Sequence, residues 1–504
     1  MRAALAALAA LAAVTACAPA SLPAQAKSAA APARASLAQR LDARLDAAPF
    51  GRQLWGVALV DESGTLLYGR DADRMFIPAS NTKLVVTAVA AALLDPATTV
   101  KTSVYAAGPV DGGVLQGDLV LYGRGDPAFA KRCYAVDTTA PGVCDTDPMA
   151  KLRQLAEGLR QKGVRAVQGD VVGDGSYFEP MIVHPGWEVY DVNWWYAAPV
   201  SGLGFNDNSL DITYAPAATL GAPAVLAFTP DFGSVQLENR TVTVPPAMRE
   251  TIDFYRVPAT SHVWAEGTVA QGGKPTTQYF AVEDPNRFAA EALRAALQQA
   301  GIAVLGTVRS TTDSMLYAPA RRTPPLAEVE SRPVRDWIFP ILNTSQNWVA
   351  EMLLKQLGKR FGKAGSWDEG LAVERRFLID SVKADSTQFA LSDGSGLSSS
   401  NLISPLTFTK LLQFMRRHPH YQAWAAGLPQ SGKRGSLQKR FVATPLEGRV
   451  RAKTGSIARV NTLSGYIERP DGRVLTFSVQ ANHHTLPSRT ILAQIDSVVV
   501  EMGK

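Results

Sequence analysis

The stretch Pro78-Ala79-Ser80-Asn81-Thr82-Lys83 runs into the apolar segment Leu84-Val85-Val86-Thr87-Ala88-Val89-Ala90, and how it is read decides the fold. If Pro78 and Ala79 open a helix, Ser80 and Lys83 share one face of its first turn. A hydroxyl then lies beside an amine. That pairing suits nucleophilic catalysis, because a serine hydroxyl attacks well only when a neighbouring base takes its proton. Lysine serves as that base only when neutral, so its pKa must fall by roughly three units from its usual value. Burial beside a second cation would do this, and the helix N-terminus would favour an oxyanion near Ser80. By itself, Ser-x-x-Lys describes a capping serine and a surface lysine equally well. Partners elsewhere in the chain must decide.

With 504 residues, 46% hydrophobic and 19% charged, the chain is long enough for several domains of ordinary globular composition. A formal net charge of +6 is small for this length and gives no case for nucleic-acid binding; no basic run with interleaved aromatics occurs. Arg2 precedes an apolar run from Ala3 to Val14, too short to span a bilayer and suited to an export signal. Val14-Thr15-Ala16-Cys17 resembles a lipobox that would leave Cys17 lipidated, whereas Ala24-Gln25-Ala26 suits ordinary cleavage. The expected location is the periplasm or cell envelope, with a lipid anchor to a membrane in the first case. Cys133 and Cys144 flank a Thr/Pro/Gly/Asp-rich loop and are expected to form a disulfide in an oxidising compartment. His418, His420, His483 and His484 have no third ligand at matching spacing, so they are read as solvated loop histidines, with no metal and no cofactor.

Residues 1–35 are assigned to the leader and linker. Helical spacing in 36–47, a hairpin pattern at 53–68 and the Ser80 helix point to an α+β fold with an antiparallel sheet. From 101 to 325 the texture changes. Two inserted, β-rich smaller domains are expected there, one from 101–203 and 283–325, the other from 204–282. Asp284 and Pro285 should start a helix that Gly301 ends. Residues 36–100 and 326–504 would make the catalytic domain.

Two further motifs supply the partners. Ser345-Gln346-Asn347 falls at a loop-to-helix junction, and Lys453-Thr454-Gly455-Ser456 on a strand. Ser-x-x-Lys, Ser-x-Asn and Lys-Thr-Gly in this order are close to the signature of penicillin-binding proteins and class A β-lactamases, with Gln346 where the middle motif has Asp. The long segment between Ser80 and Ser345 narrows this, together with Gly123-Arg124-Gly125-Asp126-Pro127, Gly173-Asp174-Gly175-Ser176-Tyr177-Phe178 and Asp393-Gly394-Ser395-Gly396-Leu397-Ser398. The chain resembles the class C low-molecular-mass penicillin-binding proteins, the D-alanyl-D-alanine carboxypeptidase/endopeptidases of peptidase family S13.

That resemblance implies a penicillin-binding/β-lactamase-like transpeptidase fold, peptidoglycan stem peptides as substrate and β-lactams as covalent inhibitors. It gives Ser80 as nucleophile, Lys83 as proton acceptor, Ser345 as proton relay to the leaving amine, and Asn347 as the group holding Lys83 and substrate. Lys453 would depress the Lys83 pKa and, with Thr454, attract the substrate carboxylate; the backbone N–H groups of Ser80 and Ser456 would form the oxyanion hole, and Gly455 would be a further substrate-binding residue. Asp174 would bind the amino group of a diaminopimelate side chain. The arginine expected after the Gly-Leu-Ser run is replaced by Ser399, which puts recognition of the adjoining carboxylate in doubt. A serine β-lactamase and a non-catalytic wall-binding protein remain alternatives on sequence alone.

Overall fold

The computed structural model describes residues 35–127, 129–233 and 235–504. The expected leader with both processing sites, Cys17 included, lies outside the described residues. A five-stranded antiparallel sheet carries the two ends of the described chain, in the order Leu66–Arg70, Leu54–Val60, Val474–Asn482, Val460–Glu468, Val450–Ile457. Both faces of its inner strands are covered: Leu54–Val60 reads as an apolar run, whereas Val474–Asn482 alternates, with Leu475, Phe477, Val479 and Ala481 in an apolar core and Thr476, Ser478, Gln480 and Asn482 buried between them. Helices Leu37–Asp46 and Ser488–Met502 cover one face, packing Leu41, Leu45, Ile491 and Ile495 against Val57, Leu59, Leu463 and Phe477.

On the other side a helical layer surrounds Lys83–Leu93, an element apolar on every face and therefore buried among neighbours. Those neighbours include Val334–Asn343, Asn347–Phe361, Trp367–Asp380 and Pro405–Arg417. The first two are separated at 344–346, at the loop-to-helix junction expected for Ser345-Gln346-Asn347. Ser345 there has φ +62°, a left-handed conformation that no continuous helix accommodates.

Between these halves the chain builds other sheets. One has five strands in the order Val308–Thr311, Val171–Asp174, Asp118–Tyr122, Lys101–Ala107, Ala327–Glu330, covered by helices Ala150–Gln161 and Pro285–Gln299. Asp284 caps the second helix, accepting the Arg287 N–H at 3.0 Å. Residues 209–281 form two three-stranded sheets around Trp194, Phe254 and Phe280. Strand Ala327–Glu330 pairs antiparallel with Lys101–Val104, so the sheet extends past 326, where the sequence suggested the return to the catalytic half. Departure and return run side by side, which the texture of a single strand could not reveal. Cys133 and Cys144 are bonded to each other.

Two of the four histidines correct an expectation, while His483 is exposed: His484 is only 2% exposed, its ring contacting the Leu486 carbonyl at 3.1 Å, and His420 contacts the Ala91 carbonyl at 2.7 Å. They are packing residues of a loop and a helix end rather than solvated side chains. Among the described residues no group of three His, Cys, Asp or Glu is placed to hold a metal.

Leu463 sits without exposure on an inner strand of the central sheet. Leu463→Ala is expected to cost about 2–5 kcal/mol of stability, read as a lower midpoint in chemical denaturation.

Candidate active site

The segment before Lys83 is a tight 3-10 turn, Ala79–Thr82, and the α-helix begins at Lys83 itself. Ala79 has φ +47°, a conformation that costs a residue with a Cβ about 1–3 kcal/mol. The turn is tied to the sheet at several points. Thr462 Oγ1 donates to the Pro78 carbonyl at 2.8 Å, and Asn81 Nδ2 donates to Ser464 Oγ at 2.7 Å. Gly455 passes so close that a Cβ there would lie 2.6 Å from the Pro78 oxygen and 3.1 Å from the Ser80 nitrogen. The strand carrying Lys453-Thr454-Gly455 therefore lies directly against the Ser80 turn.

Lys83 is fully buried, with Nζ 2.9 Å from Ser80 Oγ, 2.6 Å from Asn347 Oδ1 and 2.7 Å from the Ser395 carbonyl. The Asn347 amide is oriented by its own Nδ2, which donates to the Tyr196 carbonyl at 2.7 Å. Asn347 Oδ1 and the Ser395 oxygen can only accept, whereas the Ser80 hydroxyl can also donate. A neutral amine fits this surround fully: two N–H bonds go to the two obligate acceptors, and the lone pair faces the Ser80 proton. Burial lowers the Lys83 pKa from 10.5 to about 7, against the opposing charges of Asp393 and Glu351. The expectation that Lys453 depresses Lys83 is corrected, since removal from water is the leading cause.

Lys453 is likewise fully buried; burial first, and then the Lys83 charge, push its pKa well below the ordinary value. Its Nζ donates to Ser345 Oγ at 2.9 Å and to the Thr454 carbonyl at 2.8 Å. The Thr454 hydroxyl lies 2.7 Å from Ser436 Oγ. Ser345, Asn347, Lys453, Thr454, Gly455 and Ser456 are thus brought around Ser80 and Lys83. Gln346 turns away: its side chain accepts the Trp348 N–H at 2.9 Å and donates to Asp207 at 3.3 Å. It caps the Asn347 helix, a task compatible with Gln where the motif has Asp.

Asp174 is not brought to this centre. It is buried at the end of strand Val171–Asp174, paired with Arg321 and accepting the Ser176 N–H at 2.9 Å. A carboxylate already neutralised by a guanidinium is no open receptor for an amino group. The cleft of about 430 Å³ at Ser80 is bordered instead by Glu188, Asp191, Tyr196, Asn347 and Ser399. Burial raises the Asp191 pKa and the Glu188 charge adds to this, while the Tyr196 hydroxyl opposes by donating to Asp191 at 3.0 Å. None of the described lining residues is Lys or Arg.

The sequence also concealed Glu351, one helical turn beyond Asn347. Fully buried, it accepts the N–H groups of Gly394 at 3.0 Å and Ser395 at 2.7 Å, fixing the loop whose carbonyl holds Lys83. Asp393 caps the same loop through the N–H groups of Gly396 and Ser398, both at 2.7 Å.

A family model described as the D-Ala-D-Ala carboxypeptidase 3 (S13) family matches residues 37–502. A D-alanyl-D-alanine carboxypeptidase of an Actinomadura species is 32% identical over 484 residues, 93% of this chain and 84% of the relative. D-alanyl-D-alanine carboxypeptidase DacB of Haemophilus influenzae is 26% identical over 413 residues, 80% of each chain. The crystal structure of penicillin binding protein 4 from Haemophilus influenzae superposes with TM-score 0.79 at 20% identity, covering 92% of this chain and 99% of that one. A structure of that protein complexed with a β-lactam gives TM-score 0.73.

Gly396 has φ +80°, and a Cβ there would overlap the Ala79 carbonyl oxygen. Gly396→Ala must displace either the Ser395 carbonyl or the Ser80 turn. It is expected to slow acylation of Ser80 by benzylpenicillin at least about tenfold, measured by stopped-flow or gel fluorescence.

Proposed function

This chain belongs to the D-Ala-D-Ala carboxypeptidase 3 (S13) family, and we propose that it hydrolyses peptidoglycan stem peptides through an ester on Ser80. The observation that carries this reading is the Lys83 surround, two obligate acceptors and one hydroxyl about a buried amine. Neutral Lys83 removes the Ser80 proton as Oγ attacks the carbonyl of the penultimate D-alanine. The oxyanion forms against the backbone N–H groups of Ser80 and Ser456; one such donor is typically worth about 3–4 kcal/mol. Ser345 passes a proton to the departing nitrogen, and the C–N bond breaks to leave the acyl-enzyme. Water then cleaves the ester. A β-lactam forms the same ester but keeps its leaving nitrogen tethered, so the adduct persists.

Lys453 and Thr454 receive the carboxylate beside the scissile bond. Burial and the Lys83 charge hold Lys453 towards its neutral form; an arriving carboxylate reverses this, because a close opposite charge favours the ammonium. Substrate thus brings with it the charge that completes its own site. Asp191 and Glu188 take over the role first given to Asp174, attracting an amino group on the stem side chain. With Ser399 in place of arginine, that amino group dominates the recognition. The apolar leader supports work outside the cytoplasm, with Cys17 as the attachment point if the lipobox is used. Among the described residues no helix is long and apolar enough to cross a membrane.

The deciding experiment is mass spectrometry after benzylpenicillin treatment across a pH series. A persistent adduct is expected on Ser80, absent in Ser80→Ala. With Lys83 near 7, the acylation rate should fall about tenfold per pH unit below that value and level off above it. Rapid loss of the adduct would indicate a β-lactamase, and no adduct would indicate a non-catalytic protein. Asp191→Asn should raise KM roughly five- to tenfold for a stem pentapeptide with a free side-chain amine, and leave the N-acetylated peptide unchanged.

A further inference from the structure

A second cleft, of about 520 Å³, shares no described lining residue with the one at Ser80. Its floor includes Asn343 and Thr344, immediately before Ser345 in the chain, and Gly435, immediately before the Ser436 whose hydroxyl meets Thr454. It therefore begins next to the groups that handle the departing nitrogen and its carboxylate. The cleft at Ser80, with Asp191 and Ser399, lies on the acyl side. One outer wall is the disulfide-bonded loop, which contributes Val136 and Thr138.

The charge of this cleft is one-sided. Lys131, Arg132, Lys433 and Arg434 line it, and none of its described lining residues is acidic. Arg132 is taken up by Asp207, and Arg434 donates to the carbonyls of Ala426 and Leu428 at 2.8 and 2.9 Å. Lys131 and Lys433 are about half exposed, at 49% and 56%, with their carboxylate partners Asp211 and Glu447 at 3.6 and 3.1 Å. Asn343 is 6% exposed, and its buried Nδ2 has no hydrogen-bond partner. An unmet buried donor costs about 1–3 kcal/mol, which a carbonyl or carboxylate from a ligand would relieve.

We propose that this cleft receives the amine-side stem peptide of a cross-link, the portion that leaves with the nitrogen, through its free carboxylates. This rests on the assignment of Ser80 and Ser345 made above. When only D-alanine departs, nothing reaches beyond Lys453 and Thr454. When the nitrogen belongs to a second stem, that stem must continue past Ser345, and the path it meets is cationic. The reaction balances as before: the amide C–N bond breaks, the Ser80 ester forms, the nitrogen gains its proton through Ser345, and water releases the acyl half.

The test compares a stem pentapeptide ending in D-Ala-D-Ala with a muropeptide dimer whose D-alanine is joined to the D-centre amine of a second stem. The protein should cleave both. In the double variant Lys131→Glu/Lys433→Glu, kcat/KM for the dimer should fall about tenfold through KM, while the pentapeptide and benzylpenicillin acylation stay within about twofold. Retained acylation reports that the variant is folded. Independently, rising salt should raise the unmodified protein's KM for the dimer more steeply than for the pentapeptide. A dimer left uncleaved, an equal fall on both substrates, or no effect on the dimer would each overturn the proposal. Failure of penicillin to acylate Ser80 would instead mark the reading of the catalytic centre as the error.

Discussion

The centre depends on a lysine kept dry. An ammonium group is stable in water because bulk solvent screens its charge; Lys83 has no exposure, and three neighbouring oxygens stand where that solvent would be. Those neighbours come from the turn at Ser80, the helix beginning at Asn347 and the loop at Ser395, so any loosening that admits water restores the charge and removes the base. Precision of packing and basicity are here one property. This explains why the surrounding polar groups are themselves held so fully, with Asn347 fixed by Tyr196 and the Ser395 loop fixed by Glu351 and Asp393.

Backbone strain is present at the same place. Ala79, next to the nucleophile, and Ser345 both have positive φ, and neither is glycine. Such conformations persist only where the scaffold over-determines them. The Thr462 and Asn81 bonds do this for the first. For the second, the Gln346 N–H donates to the Pro340 carbonyl at 3.0 Å and the Gln346 side chain caps the next helix. Both serines are thus presented from sharp turns instead of from within regular helices, which exposes their hydroxyls to a common space.

Much of this was legible in the sequence because the chemistry uses side chains at fixed short spacings. Ser80 with Lys83, Ser345 with Asn347 and Lys453 with its neighbours could be found without coordinates, as could the antiparallel hairpin at 53–68. What escaped was held by backbone atoms or by long-range proximity. The Ser395 carbonyl leaves no trace in residue identity. Glu351 looked like one more helical glutamate. Asp174 ends a strand and Asp191 follows a tryptophan-containing turn, and only folding decides that Arg321 neutralises the first while the second borders the cleft.

The central sheet pairs Leu54–Val60 with Val474–Asn482, joining segments more than four hundred positions apart. Contacts so distant in sequence form late and slowly, and a growing chain offers its amino end first. While the last strands are still to come, Ser80 has no wall beside it and Lys83 stays wetted and charged. Closure of the sheet is therefore a safety catch: the nucleophile stays disarmed until Val474–Asn482 slots between the distant Leu54–Val60 and its own hairpin partner Val460–Glu468.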